Sequence, residues 1–463
     1  GVEGCCTIFA IAESPVKRGL LWVGSDDGLV HVTRDGGKTW TNVTKNIPDM
    51  PEWGTVRCIE ASPFDEGTAY LVVDRHRLDD TTPYLWKTTD FGKSWTSLTK
   101  GLEEDVYLHA VRIDPADKQI LYLGTEKGVQ FSRDDGKSWE SLQLNMPTVA
   151  VTDLKVKDND LVVGTNGRSI WILDDLTPVR KWSKEIKEKK AYLFAAQSAL
   201  RVRRHSTPES MFHHATGDNP PSGAVLHYYL KSKPKKTMIL EIRDEKGQLV
   251  RKLDSKPSST KKPVHDEGGY SASSKKKQVL PTSPGLHRVV WDLHYEGATL
   301  IKNAKVDMGN PTRGPLVNPG TYTIWLRVDE EALQQKLVVQ LDPRLKAQEK
   351  DLEERLPVAL KMRDDVTRLA KMVNQLRAIA NQIKSRNALL AKVEKAKPLV
   401  KLGEKLLQQF NALEEKMHNP RAKVSYDILA QKGGAQLYSQ LAWCYELIRS
   451  SDAAPTQGLT EVY

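Results

Sequence analysis

The chain has 463 residues, of which 39% are hydrophobic and 28% are charged, and its formal net charge at pH 7 is +10. At about 150 residues per domain, this length predicts roughly three domains. No run approaches the ~18 consecutive apolar residues of a membrane span. Composition therefore argues against a transmembrane protein and against a wholly disordered chain.

An eight-residue pattern occurs three times in the first 180 residues. It reads Ser/Thr-x-Asp-x-Gly-Lys-Ser/Thr-Trp, at 33–40, 88–95 and 132–139. The steps between the tryptophans are 55 and 44 residues, close to the ~40–50 residues of a four-stranded propeller blade. We predict four blades in residues 1–182, with innermost strands at 7–12, 56–61, 107–113 and 151–156. The fourth blade lacks the aspartate and is predicted to stop after three strands.

Each recurring position of the pattern has a physical role within the repeat. The aspartate can accept bonds from its own turn, the glycine can adopt a left-handed backbone, and the tryptophan can bury its ring between sheets. We interpret these residues as structural rather than catalytic: Asp35, Gly37 and Trp40; Asp90, Gly92 and Trp95; Asp134, Gly136 and Trp139.

The chain also contains several longer sequence motifs, among them LWVGSDDG at 21–28, TNGRSIWILD at 165–174 and NPGTY at 318–322. With them the chain resembles Asp-box (bacterial neuraminidase repeat) propellers of the sortilin-like kind, especially the large bacterial proteins called glycosyl hydrolases or sortilin-like repeat proteins. The resemblance implies the C-terminal half of such a protein and an extracytoplasmic location, which is periplasmic, cell-surface or secreted.

Four blades do not close a ring of the usual sortilin-like size, and exposed strand edges favour aggregation. The incomplete fourth blade also argues against a small four-bladed ring. We therefore expect a protein partner, or an N-terminal portion, to supply further blades and the closing strand.

The rest of the chain is predicted to form three segments. Residues 183–221 read as a connector, in which His213 and His214 lack the carboxylate or cysteine partners of a metal site. Alternating strands in 222–345 predict an immunoglobulin-like β-sandwich, interrupted by a solvated Lys/Ser-rich insert at 252–277. Residues 346–463 are predicted to be an α-helical hairpin or small bundle.

The second predicted helix of this segment has apolar residues at three- and four-residue steps, which we interpret as an interior seam: Leu399, Leu402, Leu406, Phe410, Leu413 and Met417. No basic patch with interleaved aromatic residues is evident, so no nucleic-acid partner is expected. No metal or other cofactor is predicted.

Four cysteines are too few for a disulfide framework. Cys5 and Cys6 are adjacent and therefore poor partners for each other. A bridge from Cys58 to one of them, and buried free thiols, both stay open at this point.

A ligand site is expected where the turns after the second strand of each blade meet the links between blades. This predicted rim has four candidate catalytic carboxyls, Asp26, Asp27, Asp79 and Glu126. Its candidate ligand-binding residues are Arg75, His76, Arg77, Arg168, Glu52 and Trp53.

Two functions compete on this evidence. The favoured one is a non-catalytic binding and assembly module, with a glycan as one conceivable ligand. The alternative is a sialidase- or glucanase-like glycoside hydrolase, which needs two carboxyls ~5–5.5 Å or ~6.5–9.5 Å apart. By family resemblance, sialidase chemistry also requires an arginine cluster and a Tyr–Glu pair. Arg75, Arg77 and Arg168 are available, but no matching Tyr–Glu arrangement is evident.

Overall fold

The computed structural model describes residues 6–203, 217, 219–256, 278–306, 309–345, 349–422 and 433–463. The chain divides into two compact units, Gly1–Trp182 and Ser183–Tyr463. Cys5, His213, His214 and residues 257–277 of the predicted insert lie outside the described residues.

The first unit consists of four antiparallel sheets that follow one another along the chain. Sheet 1 contains β1 (Ile8–Glu13), β2 (Leu21–Ser25), β3 (Val30–Thr33) and β4 (Thr41–Asn42). Sheet 2 contains β5 (Thr55–Ala61), β6 (Ala69–Arg75), β7 (Asp80–Thr88) and β8 (Thr96–Ser97). Sheet 3 contains β9 (Leu108–Asp114), β10 (Asp117–Thr125), β11 (Gly128–Ser132) and β12 (Glu140–Ser141). Sheet 4 has only three strands, β13 (Val151–Lys157), β14 (Asp160–Thr165) and β15 (Ile170–Leu173).

Neighbouring sheets bury apolar side chains between their faces. Successive side chains of a strand point to opposite faces, so in β6 Leu71 and Val73 pack in the core shared with sheet 1, whereas Tyr70 and Val72 pack in the core shared with sheet 3. A third core lies between sheets 3 and 4. Among the described residues no such core joins sheet 4 back to sheet 1.

The three repeats form the same turn, which we call the Asp-turn (33–40, 88–95 and 132–139). In each, the aspartate Oδ1 accepts the N–H of the residue four positions later at 2.9 Å, and Oδ2 accepts its hydroxyl at 2.6–2.7 Å. The bonds from the Thr39 side chain and backbone lower the pKa of Asp35 to about 2. The glycine has φ between +81° and +89°, the left-handed backbone that glycine adopts without strain.

The glycine of an Asp-turn is also pressed against the preceding sheet. A Cβ on Gly92 would lie 3.0 Å from Val43 of sheet 1, and a Cβ on Gly136 would lie 2.8 Å from Leu98 of sheet 2. At Gly37 a Cβ would meet only Trp40 of its own turn, at 3.8 Å. The contact therefore recurs at two junctions and has no counterpart at sheet 1.

The tryptophans of the second and third Asp-turns also contact the preceding sheet. Trp95 packs edge-on against Trp22 of the preceding sheet, with ring centroids 6.0 Å apart, and the Trp139 indole donates a 2.9 Å bond to the Leu98 carbonyl. Trp95 is 7% exposed, whereas Trp40 is 44% exposed. The sequence-based expectation of a ring buried between sheets does not hold at Trp40, because no sheet precedes it in the first unit.

The second unit contains a three-stranded and a five-stranded sheet that share one core. The first consists of β16 (Ala191–Leu193), β18 (Ala224–Leu230) and β21 (Gly285–Trp291). The second has the order β17 (Ala199–Arg201), β25 (Glu331–Leu341), β24 (Gly320–Val328), β19 (Ile239–Arg243) and β20 (Leu249–Asp254). A separate hairpin pairs β22 (His294–Glu296) with β23 (Arg313–Leu316).

The segment predicted as a connector contributes to both of these sheets. Its strand β16 pairs with β18, and β17 pairs in parallel with β25. The buried Arg201 of β17 forms two bonds of 2.7–2.8 Å with the carboxylate of Asp452. This arginine therefore ties the C-terminal part of the second unit to its larger sheet.

The predicted C-terminal helices are present. The helices of the described residues are α1 (Thr177–Lys181), α2 (Lys184–Glu188), α3 (Glu349–Leu390), α4 (Lys397–Met417), α5 (Leu437–Ser450) and α6 (Gln457–Val462). Short 3-10 turns lie at Thr44–Asn46, His76–Leu78 and Glu394–Ala396. Within the described ranges, no helix is both long and apolar enough to cross a membrane.

The predicted seam of α4 is wrong in part. Leu399, Leu402, Leu406 and Leu413 are exposed. The partly buried positions of α4 instead include Val400, Gly403, Leu407, Phe410 and Met417. The helix is apolar over two neighbouring stripes, and spacing alone does not say which stripe meets α3.

The thiols of Cys58 and Cys444 are free, so Cys58 forms no disulfide. Burial raises the pKa of the Cys58 thiol, which lies 2.9 Å from a guanidinium nitrogen of Arg112.

The glycine contacts lead to a first prediction. In the isolated chain, Gly92→Ala should lower the free energy of unfolding by about 1–3 kcal/mol more than Gly37→Ala, because only the Gly92 methyl meets a packed neighbour. The two positions are matched in backbone, with φ of +81° and +89°, so the strain of a left-handed alanine cancels in the comparison. Urea unfolding of both variants measures the difference, and equal losses would contradict the proposed contact.

Candidate functional site

On sheets 1, 3 and 4 the turn after the second strand lies against the segment that leads into the first strand. The backbone N–H of Asp26 donates to the Thr7 carbonyl at 3.0 Å, that of Glu126 to Tyr107 at 3.2 Å, and that of Asn166 to Ala150 at 2.9 Å. We call this end of the first unit the rim. The Asp-turns join the third and fourth strands, so they lie at the other end of the strands.

On sheet 1 both candidate carboxyls are used locally. Asp26 accepts the N–H of Thr7 at 2.8 Å. Asp27 accepts the Ser25 hydroxyl, and this bond is the main cause of its lowered pKa. These contacts hold the turn in place.

On sheet 2 the rim residues connect the segment before β5 to the turn between β6 and β7. Arg75 donates from Nε to the Glu52 carbonyl at 3.0 Å and from Nη1 to Asp80 at 3.2 Å. Arg77 lies exposed in the 3-10 turn, and Asp79 ends that turn with φ +60°. Arg75 therefore has a positioning role and is not free to form a cluster for a ligand carboxylate.

Trp53, in the same segment before β5, has an unusual backbone and an exposed side chain. Its φ is +60°, which a bulky side chain rarely adopts, and it is 64% exposed. Strained backbone often marks a functional position, and an exposed indole offers a flat stacking surface.

A group of titratable side chains, the rim cluster (Asp74, His76, Tyr107, His109 and Glu126), spans sheets 2 and 3. His76 Nδ1 lies 2.7 Å from Asp74 Oδ1, and the His76 ring stacks on Tyr107 with centroids 4.4 Å apart. Tyr107 meets His109 edge-on at 5.2 Å, and His109 Nε2 lies 2.9 Å from Glu126 Oε2. Asp74 and His109 are buried, so the cluster is a fixed arrangement.

The rim cluster contains a Tyr–Glu pair that the sequence analysis did not recognise. Burial, followed by hydrogen bonding to Glu126, raises the pKa of Tyr107 to about 12. The phenol keeps its proton at neutral pH, as an ordinary tyrosine does, and the shift makes its ionisation harder still. The other ring nitrogen of His109, Nδ1, is buried and has no hydrogen-bond partner among the described residues.

The candidate carboxyls are distributed over three sheets. Asp26 and Asp27 lie on sheet 1, Asp79 on sheet 2 and Glu126 on sheet 3, and only Glu126 belongs to the rim cluster. Arg168 lies exposed in the rim turn of sheet 4, and its carbonyl accepts the Trp171 indole N–H at 2.9 Å.

Deeper in the first unit, Arg112 of β9 connects three inner strands. It donates to Asp153 of β13 at 2.7 Å, to the Leu154 carbonyl at 2.7 Å, and to Glu60 of β5 at 3.4 Å. Sequence reasoning missed Tyr107, His109 and Arg112. The aromatic-x-His pattern at 107–109, entering a buried strand, is the signal that could have found the first two.

Two cavities lie away from the rim cluster. One, of about 470 Å³, is lined by Tyr70, Lys87 and Asp135 among others, between sheets 2 and 3 on the Asp-turn side. The other, of about 350 Å³, lies on the outward face of sheet 1 and is lined by Ile8, Val23, Leu29, His31 and Trp40, together with Cys6, Ser25 and Asp27.

Comparison with known proteins finds one family model, and its match lies within the first unit. Residues 28–170 match the family model of sortilin and neurotensin receptor 3 (Sortilin-Vps10). A probable oligoxyloglucan-reducing end-specific xyloglucanase of Neosartorya fischeri is 35% identical over 89 residues, which are 19% of this chain and 10% of that protein.

Two solved structures match part of the chain. YCF48 bound to a D1 peptide has 18% identity and a TM-score of 0.28, covering 35% of this chain and 49% of that one. The GH74 xyloglucanase of Xanthomonas campestris has 12% identity and a TM-score of 0.28, covering 73% of this chain and 55% of that one. The matches thus span about half the length of these two structures and a tenth of the curated xyloglucanase.

The Tyr–Glu pair leads to a second prediction. Replacing Glu126 by glutamine removes a negative charge and the carboxylate acceptor, so the pKa of Tyr107 should fall below about 12 but stay above the ordinary value of 10, because burial is its largest cause. A pH titration followed by NMR of ¹³C-labelled tyrosine measures this shift. The matched control is Glu104→Gln, on the exposed link nearby, and an unchanged Tyr107 in Glu126→Gln would show that the pair does not form.

Proposed function

We propose that the first unit is an arc of a larger propeller and acts as a non-catalytic binding and assembly module. Its ring is completed by further blades, contributed by another polypeptide or by sequence that precedes residue 1. The observation that carries this proposal is the exposed Trp40, whose equivalents Trp95 and Trp139 both contact the preceding sheet.

The outward face of sheet 1 has the features of an uncovered blade surface. Ile8 and Ile11 are exposed there, Ile11 at 67%, and the cavity beside Trp40 is about 350 Å³. By analogy with Val43 and Leu98, a preceding blade would place an aliphatic side chain against Gly37. Contiguous exposed apolar surface of this kind marks an interaction site.

Sheet 4 presents the matching surface at the other end of the arc. Ile170 and Ile172 of β15 are exposed, Ile172 at 57%. Strand β15 pairs only with β14 in its sheet, so its outer edge offers backbone groups to an added strand. We propose that this edge receives the closing strand of the ring.

The rim is the proposed ligand-binding end of the completed ring. Trp53 would provide a stacking surface and the rim cluster polar contacts, a combination that suits a glycan among other ligands. The match to sortilin and neurotensin receptor 3 over 28–170 supports an extracytoplasmic location, either periplasmic, cell-surface or secreted.

We further propose that 1–182 is the propeller arc, 222–345 an immunoglobulin-like sandwich and 346–463 a helical domain. The shared core of the two sheets in the second unit and helices α3, α4 and α5 support the last two assignments.

The alternative, a glycoside hydrolase, is favoured by the Tyr107–Glu126 pair and by the likeness to a xyloglucanase. Three features weigh against it. The raised pKa of Tyr107 disfavours a phenolate nucleophile. Of the candidate carboxyls, the only two on one sheet, Asp26 and Asp27, are bonded to Thr7 and Ser25, and Arg75 is held by Glu52 and Asp80. We therefore rank assembly and binding above hydrolysis.

Photo-crosslinking tests the proposed assembly. Ile11 and Ile172 are replaced, one at a time, by p-benzoylphenylalanine in the protein produced in its own host, with the similarly exposed Leu249 of the second unit as the control position. We expect positions 11 and 172 to link to a polypeptide outside residues 1–463 that contains the Asp-turn pattern, identified by mass spectrometry, and position 249 to form no such link.

Two results would contradict the assembly. One is a link from position 11 to peptides around residue 172 within the same molecule, which would show that the arc closes on itself. The other is the absence of any link at both positions.

A further inference from the structure

Helices α3 and α4 form an antiparallel hairpin in the second unit. Asn387 of α3 donates to the Val400 carbonyl of α4 at 3.2 Å, and Arg377 donates to Glu414 at 2.7 Å. Contact along this line partly buries one stripe of α4, at Val400, Gly403, Leu407, Phe410 and Met417.

A second apolar stripe on each helix is left uncovered. On α4 it consists of Leu399, Leu402, Leu406 and Leu413, and on α3 of Met372 and Ile379; we call these six residues the hairpin face. All are exposed, Leu402 at 62% and Leu413 at 47%.

The two stripes lie on the same side of the hairpin. An α-helix turns by 100° per residue. On both helices, the exposed stripe is rotated in the same sense away from the residues that contact the other helix. Because the helices are antiparallel, equal offsets place both stripes on one side, where they border a shallow groove. Packed helices are 8–10 Å apart, so such a groove matches the diameter of a third helix.

The border of this groove is basic. Lys401, Lys405 and Lys416 flank the leucines of α4, and Lys371 and Arg386 lie beside the stripe of α3. Residues 371–416 contain ten lysines and arginines and four glutamates, a net charge of +6. Glu414 is already bonded to Arg377 and His418, so it does not neutralise the border.

The basic border determines which kind of partner can bind the groove. A second copy of the hairpin would bring two basic borders together, which like-charge repulsion opposes. A flat bilayer would reach the outermost side chains of both helices without filling the groove between them. We propose that the hairpin face binds an amphipathic helix of a partner protein, whose apolar stripe packs on the six residues and whose flanks carry aspartate and glutamate.

The length of the face fixes the length of that helix. From Leu399 to Leu413 the rise along α4 is about 21 Å, so the partner helix needs at least about four turns. Affinity would come from the apolar contacts, whereas the acidic flanks would set partner choice and salt dependence.

A designed peptide is the probe. A labelled helical peptide of about 21 residues, with leucine on one stripe and glutamate on its flanks, is titrated into the full chain by fluorescence anisotropy. We expect micromolar binding that weakens with added salt, and about tenfold weaker binding of the same peptide with lysine flanks.

Variants localise the binding. Leu402→Ser combined with Leu413→Ser should weaken it about tenfold or more, whereas Leu286→Ser, at a similarly exposed leucine on a strand of the same unit, should leave it unchanged. Lys401→Glu combined with Lys405→Glu should reduce the preference for the glutamate-flanked peptide. Circular dichroism of each variant confirms that the helices are retained.

Four outcomes would overturn the proposal. They are no binding of the glutamate-flanked peptide at millimolar concentration, equal binding of both peptides, self-association of the chain that the leucine variants abolish, and binding to anionic phosphatidylglycerol vesicles that the peptide does not displace.

Discussion

The contact between each Asp-turn and the preceding sheet is the constraint on which the first unit depends. The left-handed glycine has no Cβ, and this allows Val43 to approach Gly92 and Leu98 to approach Gly136. The tryptophan of the same turn then covers the preceding sheet. A blade built in this way is not self-contained, because its two faces are completed by two neighbours. Sheets 1 and 4 each have one neighbouring sheet in the unit, and Trp40, Ile11 and Ile172 are exposed on them.

The same repeat determines where the rim residues meet. Backbone hydrogen bonds on sheets 1, 3 and 4, and the Arg75 side chain on sheet 2, hold the rim turn against the segment that enters the first strand. Arg112 holds the inner strands of three sheets together. Tyr107 and His76, from neighbouring sheets, are thereby brought into ring contact. The buried Asp74 and His109 show that these polar groups are fixed by the fold. The strained backbone of Trp53 adds an exposed aromatic surface beside Arg75 and Glu52.

Local patterns made part of this structure predictable. The Asp-turn is closed by bonds within eight residues, so its sequence alone indicates its conformation, and the short alternating strands around it follow from the same spacing. Interactions over long sequence separation were not predictable in this way. Strands β16 and β17 have three residues each, and β17 pairs with β25, far along the chain. Tyr107 reaches Glu126 only through the folded sheet, and the outward leucines of α4 resemble an interior seam because spacing does not reveal which stripe a neighbour covers. The sequence could therefore indicate the position of the rim but not the side chains that interact there.

The most direct test of the open arc is a distance between its two outward faces. Ile11→Cys and Ile172→Cys, in a chain with Cys5 and Cys6 replaced by serine, carry nitroxide labels for double electron–electron resonance. An open arc predicts a separation of more than about 20 Å, at least two spacings of packed sheets. A distribution centred near a single spacing of about 10 Å, seen as dipolar broadening of the continuous-wave spectrum, would show that sheets 1 and 4 pack together and would contradict the account.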